Sequence, residues 1–361
     1  MRVLRFSFLV VAIFLAHQAF AAFRPSFSLD YSAWQATHIV LVVTTSKDGK
    51  FEVVESWKGN LPIGEHIVIP ELRPDPSAVP ISQYPQAWPY YGEMSEQIPR
   101  EPVGSRMVLF LKSATGEQSR PHSPGSADAE GWKPSDLMGS MKASVIWLNE
   151  GGIYCFKQFI NPGPTVLSPS RYSEADIRNR VAEISDIRQN TATILAIRDG
   201  NERAERLKLY VRSDIFPVRS FALDQLGKCG PAAVPTISGM LDDPTFDDEG
   251  QELVEALVQS GGEAVGEELN NRLRQELAFW RSTAPSLSHG WWNQDMSSRA
   301  PLRVRYDVTY QLIIGLEQTR YSRALNTTIQ LRDLWRSLPQ LRDDKQLSEE
   351  CNKLIRELQF E

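Results

Sequence analysis

Few residues in this chain are of a type that does chemistry, and their spacing suits none of the familiar reactions. Among 361 residues there are five histidines and three cysteines. His38, His66, His122 and His289 lie beyond the N-terminal leader, and no HxH or HExxH spacing brings two imidazoles onto one metal ion. A lone histidine in or beside a strand reads as packed or solvent-facing rather than as a ligand. Cys155, Cys229 and Cys351 match no zinc or CxxC pattern, and beside a large apolar core they read as three small buried residues. The chain has no GxSxG elbow, no GxxxxGK[ST] phosphate loop and no GxGxxG turn. Ser123-Pro124-Gly125-Ser126 puts serines in a tight turn but lacks the strand-turn-helix setting that exposes a nucleophile. The sequence therefore assigns no catalytic residue, no metal ligand and no cofactor.

Two groups of side chains remain as candidates. Asp242-Asp243 with Asp247-Asp248-Glu249 form the densest set of acids, suited to acid-base work or to weak oxygen ligation of calcium. The competing reading is helix capping, because acids are favoured at a positive helix N-terminus, and it is the preferred one. The second group is aromatic. Trp280, Trp291 and Trp292 bracket a long loop with His289, Asn293 and Asp295, and Trp88, Tyr90 and Tyr91 form a similar cluster in the first half. Indoles beside amides and a carboxylate can stack on a sugar or anchor a protein partner. Alternatively Trp291 and Trp292 fold back to seal a groove between helices. These nine residues are the candidate partner-binding set, with protein as the expected partner and a glycan as the other option.

Charge narrows the partner further. Removing Arg2 and Arg5 from the 39 Lys and Arg leaves 37 against 45 Asp and Glu, without long blocks of one sign. A nucleic-acid partner needs a clustered basic surface, so that class is excluded.

The leader itself is tripartite. Arg2 and Arg5 make a basic start, residues 6–16 are apolar or small, and Ala19-Phe20-Ala21 supplies a small-x-small cleavage pattern. The apolar run falls short of the roughly 20 residues that cross a bilayer, so residues 1–21 read as a signal peptide with cleavage near Ala22. The expected location is exported, periplasmic or extracellular, with no transmembrane segment after cleavage.

Residues 22–172 read as β structure. Apolar runs at 38–44, 51–57, 66–70, 106–112, 144–149 and 153–159 are rich in β-branched and aromatic residues and bounded by turn chemistry. Lys47-Asp48-Gly49-Lys50 and Asn149-Glu150-Gly151-Gly152 predict hairpins. A proline-rich insertion at 70–102 and a Ser/Gly-rich one at 113–142 interrupt the pattern. This predicts a small antiparallel β-barrel.

From Ser173 the period becomes helical. Ser173-Glu174-Ala175-Asp176 opens a helix carrying Ile177, Val181, Ile184 and Ile187 at spacings of three and four. The run Phe221 to Pro235 then matches Glu252 to Gly266 at an offset of 31: a helix, a Gly stop, and Ala-Val opening a second helix. Repeats of this length imply stacked helical hairpins. Residues 219–241, within the string VRSFALDQLGKCGPAAVPTISGML, resemble a HEAT-like repeat of the bacterial type. In the second copy Gly266 replaces the proline and Glu267-Glu268 stand where the first has Thr236-Ile237, so a one-residue slip is expected there.

The first half is similar, more loosely, to netrin/TIMP-like OB-fold modules of exported bacterial proteins. The resemblance rests on residues 36–42, on Phe51-Glu52-Val53-Val54-Glu55-Ser56-Trp57-Lys58-Gly59, on Ile67-Val68-Ile69 and on Met107-Val108-Leu109-Phe110-Leu111. Inhibitors in that superfamily begin with a cysteine where this chain has Ala22 or a neighbour, so inhibition is not carried over. The expected fold is α+β and multidomain: an OB/netrin-like barrel, then a HEAT-like α-solenoid over residues 173–361. The expected function is non-enzymatic binding or scaffolding through the helical-repeat surface. The rival expectation is a hydrolase with its site in a cleft between the barrel and the helical array.

Overall fold

The computed structural model describes residues 27–46, 49–69, 72–73, 102–113, 132–135, 141–149, 152–158, 165–288, 291, 300–342 and 345–359. The chain divides into two compact units, Met1–Gln189 and Asn190–Glu361.

The first unit is built on one antiparallel sheet of eight strands. These are β1 (His38–Thr44), β2 (Lys50–Lys58), β3 (His66–Val68), β4 (Arg106–Ser113), β5 (Trp132–Pro134), β6 (Val145–Asn149), β7 (Gly152–Gln158) and β8 (Thr165–Pro169), in the order β3-β2-β1-β4-β6-β7-β8. β4 pairs with β6 through Arg106 to Leu109 and with β5 through Leu111 to Ser113. The strand order is that of an open sheet with β3 and β8 at its edges, so the antiparallel sheet expected from the sequence is present and its closure into a barrel is not shown. All six expected strands are present, within two residues at each end. β5 and β8 are additional. Gly49 adopts φ +71 at the first hairpin, the left-handed conformation that a side chain disfavours.

Both faces of the sheet are buried, which is why its central strands are nearly continuous runs of apolar residues. Val40, Val42, Phe51, Val53, Ile67, Met107, Leu109, Val145, Trp147 and Phe156 belong to one cluster. The alternate residues Ile39, Leu41, Val108, Phe110 and Ile146 are also buried, on the opposite face. That face meets a short helix, α1 (Leu29–Gln35), whose Ser32 hydroxyl donates to Ala143 O at 2.9 Å, while Phe27 sits 5.3 Å from the Phe110 ring.

The amphipathic helix α2 (Glu174–Leu195) begins the run read from sequence as the helical array, but most of it belongs to the sheet unit, whose boundary falls at Gln189. Its Ile177, Val181 and Ile184 are buried, and its arginines reach the sheet and α1. Arg180 Nε and Nη2 bind both carboxylate oxygens of Asp30, at 2.7 and 3.0 Å. Arg178 pairs with Glu55 at 2.6 Å and lies 4.7 Å over the Trp57 ring. The pairing of β1 with β2 slips by one residue between Leu41 and Val42, so Leu41 faces Glu55 while Val42 faces Val53. This β-bulge turns Glu55 to the face that Arg178 reaches.

The second unit is helical: α3 (Gly200–Lys208), α4 (Phe216–Lys228), α5 (Val234–Leu241), α6 (Gly250–Ser260), α7 (Glu263–Thr283), α8 (Ala300–Thr319), α9 (Leu325–Ser337), α10 (Pro339–Arg342) and α11 (Lys345–Gln359). α4 packs on α6 and α6 on α8, while α5 packs on α7 and α7 on α9. The internal repeat is visible in burial. Ala222 and Leu226 of α4 match Leu253 and Leu257 of α6, all fully buried, and both helices stop at a glycine of positive φ, Gly230 at +72 and Gly261 at +68. In the second helix of each pair the buried positions are Ala233 and Ile237 against Val265 and Leu269, an offset of 32 rather than 31. The second copy has slipped by one residue.

Candidate functional site

The helical unit contains a groove of about 940 Å³. α6 lines it with Val254, Glu255, Val258 and Gln259, and α8 with Gln311, Ile314, Gly315, Gln318 and Thr319. Both sets recur at three- and four-residue spacing, so each is one face of its helix. The α6–α7 turn and residues 320–323 complete the lining.

Glycines set how closely the walls approach. A Cβ on Gly315 would lie 2.6 Å from Val258 Cγ2, and one on Gly266 would lie 2.6 Å from the Tyr321 ring. Both contacts are closer than carbon atoms tolerate, so only glycine allows α6 against α8 and Tyr321 against α7. α8 ends at Arg320, the single described non-glycine residue with positive φ, at +49. Thr319 donates its hydroxyl to Gly315 O at 3.0 Å, back along its own helix.

Chemically the lining is mixed. The lining carries Glu255, Glu263, Arg320 and Arg323, and its three glutamines Gln259, Gln311 and Gln318 have amides that both donate and accept. Gln259 also bonds the Asp224 carboxylate. The lining residues include no histidine and no cysteine. A groove lined by carboxamides together with Val254, Val258 and Ile314 suits an extended polar chain with occasional apolar side groups.

The aromatic candidates fall elsewhere. Trp280 is fully buried on the inner face of α7, four residues beyond Glu276 and three beyond Leu277. Its ring lies 5.1 Å from Trp335, 5.2 Å from Phe279 and 5.8 Å from Trp291. Its Nε1 donates to Thr309 Oγ1 at 3.0 Å, and that hydroxyl lies 3.2 Å from Glu276 Oε2. Trp291 is 5 % exposed and belongs to the same core cluster. In this arrangement both indoles are packing groups rather than surface anchors. His289, Trp292, Asn293, Asp295, Trp88, Tyr90 and Tyr91 lie outside the described residues.

No family model, curated protein or solved structure matches the chain.

The acid cluster is distributed among separate tasks. Asp243 accepts from Thr245 N at 2.9 Å and caps the turn that follows. Asp242 pairs with Arg272 at 3.1 Å, and Glu249 lies 3.7 Å from Arg219. Among the described residues no group of three or more His, Cys, Asp or Glu could hold a metal ion. Cys155, Cys229 and Cys351 are free and buried, and burial pushes the Cys155 thiol up to about 11 and the Cys351 thiol up to about 12. Among the described residues no helix is long and apolar enough to cross a membrane.

The groove was not among the sequence candidates. Its residues come from two segments fifty positions apart, and the one local signal is Gln311 and Gln318, two turns apart on one face of α8.

Proposed function

We propose that this chain is an exported, non-enzymatic binding or scaffolding protein that engages a protein partner through its helical half. The groove between α6 and α8 carries the proposal. Its glutamine amides match the alternating donors and acceptors of a peptide backbone, and Val258 and Ile314 offer places for apolar side chains. In this reading the tripartite leader directs export, the sheet unit is an OB/netrin-like module, and the repeated hairpins form a HEAT-like solenoid. Solenoids bind extended ligands along surfaces shared by successive repeats, which is the kind of place this groove occupies.

The test places a photo-crosslinking residue at Gln318 in the native host, identifies the adduct, and measures its binding to purified protein. Ile314→Glu and the double variant Gln311→Ala, Gln318→Ala are expected to weaken binding at least tenfold, about 1.4 kcal/mol. Unchanged affinity in variants with wild-type circular dichroism would overturn the assignment to this groove. A captured glycan would move the partner class from protein to carbohydrate.

A further inference from the structure

The two helical walls of the groove run parallel. Gly250 of α6 lies against Val308 of α8 and, further along both helices, Val258 lies against Gly315. Both helices therefore finish at the same end of the groove, where the α6–α7 turn and residues 320–323 complete the lining. The same register sets Glu255 level with Leu312, near the opposite end. Arg320 follows Gln311 by nine residues, about 13 Å at the rise of an α-helix. That is the reach of about four residues of extended chain.

The groove is thus charged differently at its two ends. Helix dipoles do not set the sign where the turns lie, because α6 and α8 end there while α7 and the turn into α9 begin there. Side chains decide it. Arg320 and Arg323 bring two positive charges to this end against the one of opposite sign on Glu263, and the one charged lining residue near the other end is Glu255.

Arg320 is also unusual in its backbone. It ends α8 with φ +49 and its side chain is exposed, so this residue is not held there by burial in the core. Helices that stop in the left-handed region favour glycine or asparagine at that position, because a Cβ makes the conformation costly. A long cationic side chain stands where glycine would relieve strain, and it lines the groove.

We propose that this end of the groove is a carboxylate subsite. An extended segment of the partner lies along α8 with a carboxylate, either its C-terminal one or that of an Asp or Glu, on Arg320 and Arg323, and with its other end toward Glu255. The inference rests on the peptide-binding reading of the same groove. A guanidinium fork matches a carboxylate in shape as well as charge. Glu255 would repel the same group placed the other way round, which fixes the orientation of the ligand.

The test passes three pools of N-acetylated pentapeptides, randomised among the uncharged amino acids, over the immobilised full chain at low ionic strength, and counts retained peptides by mass spectrometry. One pool ends in a free carboxylate, one in an amide, and one in an amide with a single Asp or Glu inside. Wild-type protein is expected to retain one of the two carboxylate pools at least tenfold over the uncharged pool, and the pool that wins names the source of the carboxylate. Arg320→Gly and Arg323→Gln should each remove that preference. Arg320→Gly should also melt at or above the wild-type temperature, which the loss of a merely structural arginine would not do. If it melts lower, Arg323→Gln decides in its place. A preference that survives in folded Arg323→Gln overturns the inference. Equal retention of all three pools, abolished by Ile314→Glu, overturns the carboxylate subsite and leaves the peptide groove standing. Retention of no pool by folded wild-type protein overturns both.

Discussion

Arg305 of α8 grips Glu276 of α7 with both arms of its guanidinium, Nη2 to Oε1 at 2.9 Å and Nε to Oε2 at 3.0 Å. The guanidinium also lies 4.0 Å over the Phe279 ring. Glu276 is 8 % exposed, and burial raises its pKa above 4.5 despite the arginine. Such a pair fixes the register of two helices more than it stabilises them.

The sign of the pH dependence follows from that shift. A carboxyl whose folded pKa lies above its unfolded value binds more protons in the folded state. Its favourable contribution is complete below the unfolded pKa and is lost as pH rises through the folded one. In thermal melts between about pH 4 and about pH 8, wild-type protein should lose stability relative to Glu276→Gln as pH rises. At neutral pH the variant should lie within about 1 kcal/mol of wild type or above it. A variant that loses ground with rising pH would refute the assignment.

Thr309 carries more weight than its size suggests, because it is the acceptor for the fully buried Trp280 indole. Thr309→Val keeps the shape and removes the acceptor, so urea denaturation should show a loss of about 1–3 kcal/mol. Thr309→Ser should recover most of it.

Three helical glycines should respond in opposite directions to the same methyl group. Gly266→Ala and Gly315→Ala drive a Cβ into Tyr321 and Val258 and should cost about 1–3 kcal/mol. Gly239, inside α5, has nothing within 4 Å of its Cβ position, so Gly239→Ala should gain about 0.5–1 kcal/mol. Melting temperatures of the three variants decide it.

Lys58 offers a second pH signature, of the other chemical sign. Its folded pKa of about 7 lies below the ordinary 10.5, so the folded state binds fewer protons between those values. Stability attributable to this group is therefore smallest below about 7 and grows until about 10.5. Lys58→Met should be stabilised relative to wild type in mild acid, and that advantage should shrink as the solution becomes alkaline. A difference that stays constant with pH would show that Lys58 is not perturbed.

The parts of the fold legible in the sequence are those whose local pattern and tertiary role agree. HIVLVVT in β1 is β-branched at five of its seven positions and buried on both faces, so composition alone placed it. β5 is three residues long and ends in Pro134, and β8 ends in Pro169 after a stretch containing Pro162 and Pro164, so neither offers an apolar run long enough to read as a strand. α1 spans two turns and its Ser28 makes no side-chain capping bond, leaving too little period to detect. Of the candidate sites, Trp280 shows the limit most plainly. Tryptophan suits a buried core and an exposed anchor equally, and only the third dimension separates them. The groove escaped for the opposite reason, since glutamines on a helix look like ordinary solvated positions until a neighbouring helix is laid beside them.

The two register shifts of β2 against β1, one at Ile39–Val40 and one at Leu41–Val42, make that strand a place where length carries more information than identity. Exchanging Val54 for another β-branched residue leaves the slip between Leu41 and Val42 intact. Deleting it would remove that slip while the one between Ile39 and Val40 remains, send Glu55 to the far face and take it from Arg178. Among relatives of this chain, insertions and deletions should therefore be purged from residues 53–58 more strictly than substitutions, a pattern that sequence alignments can reveal without any structure.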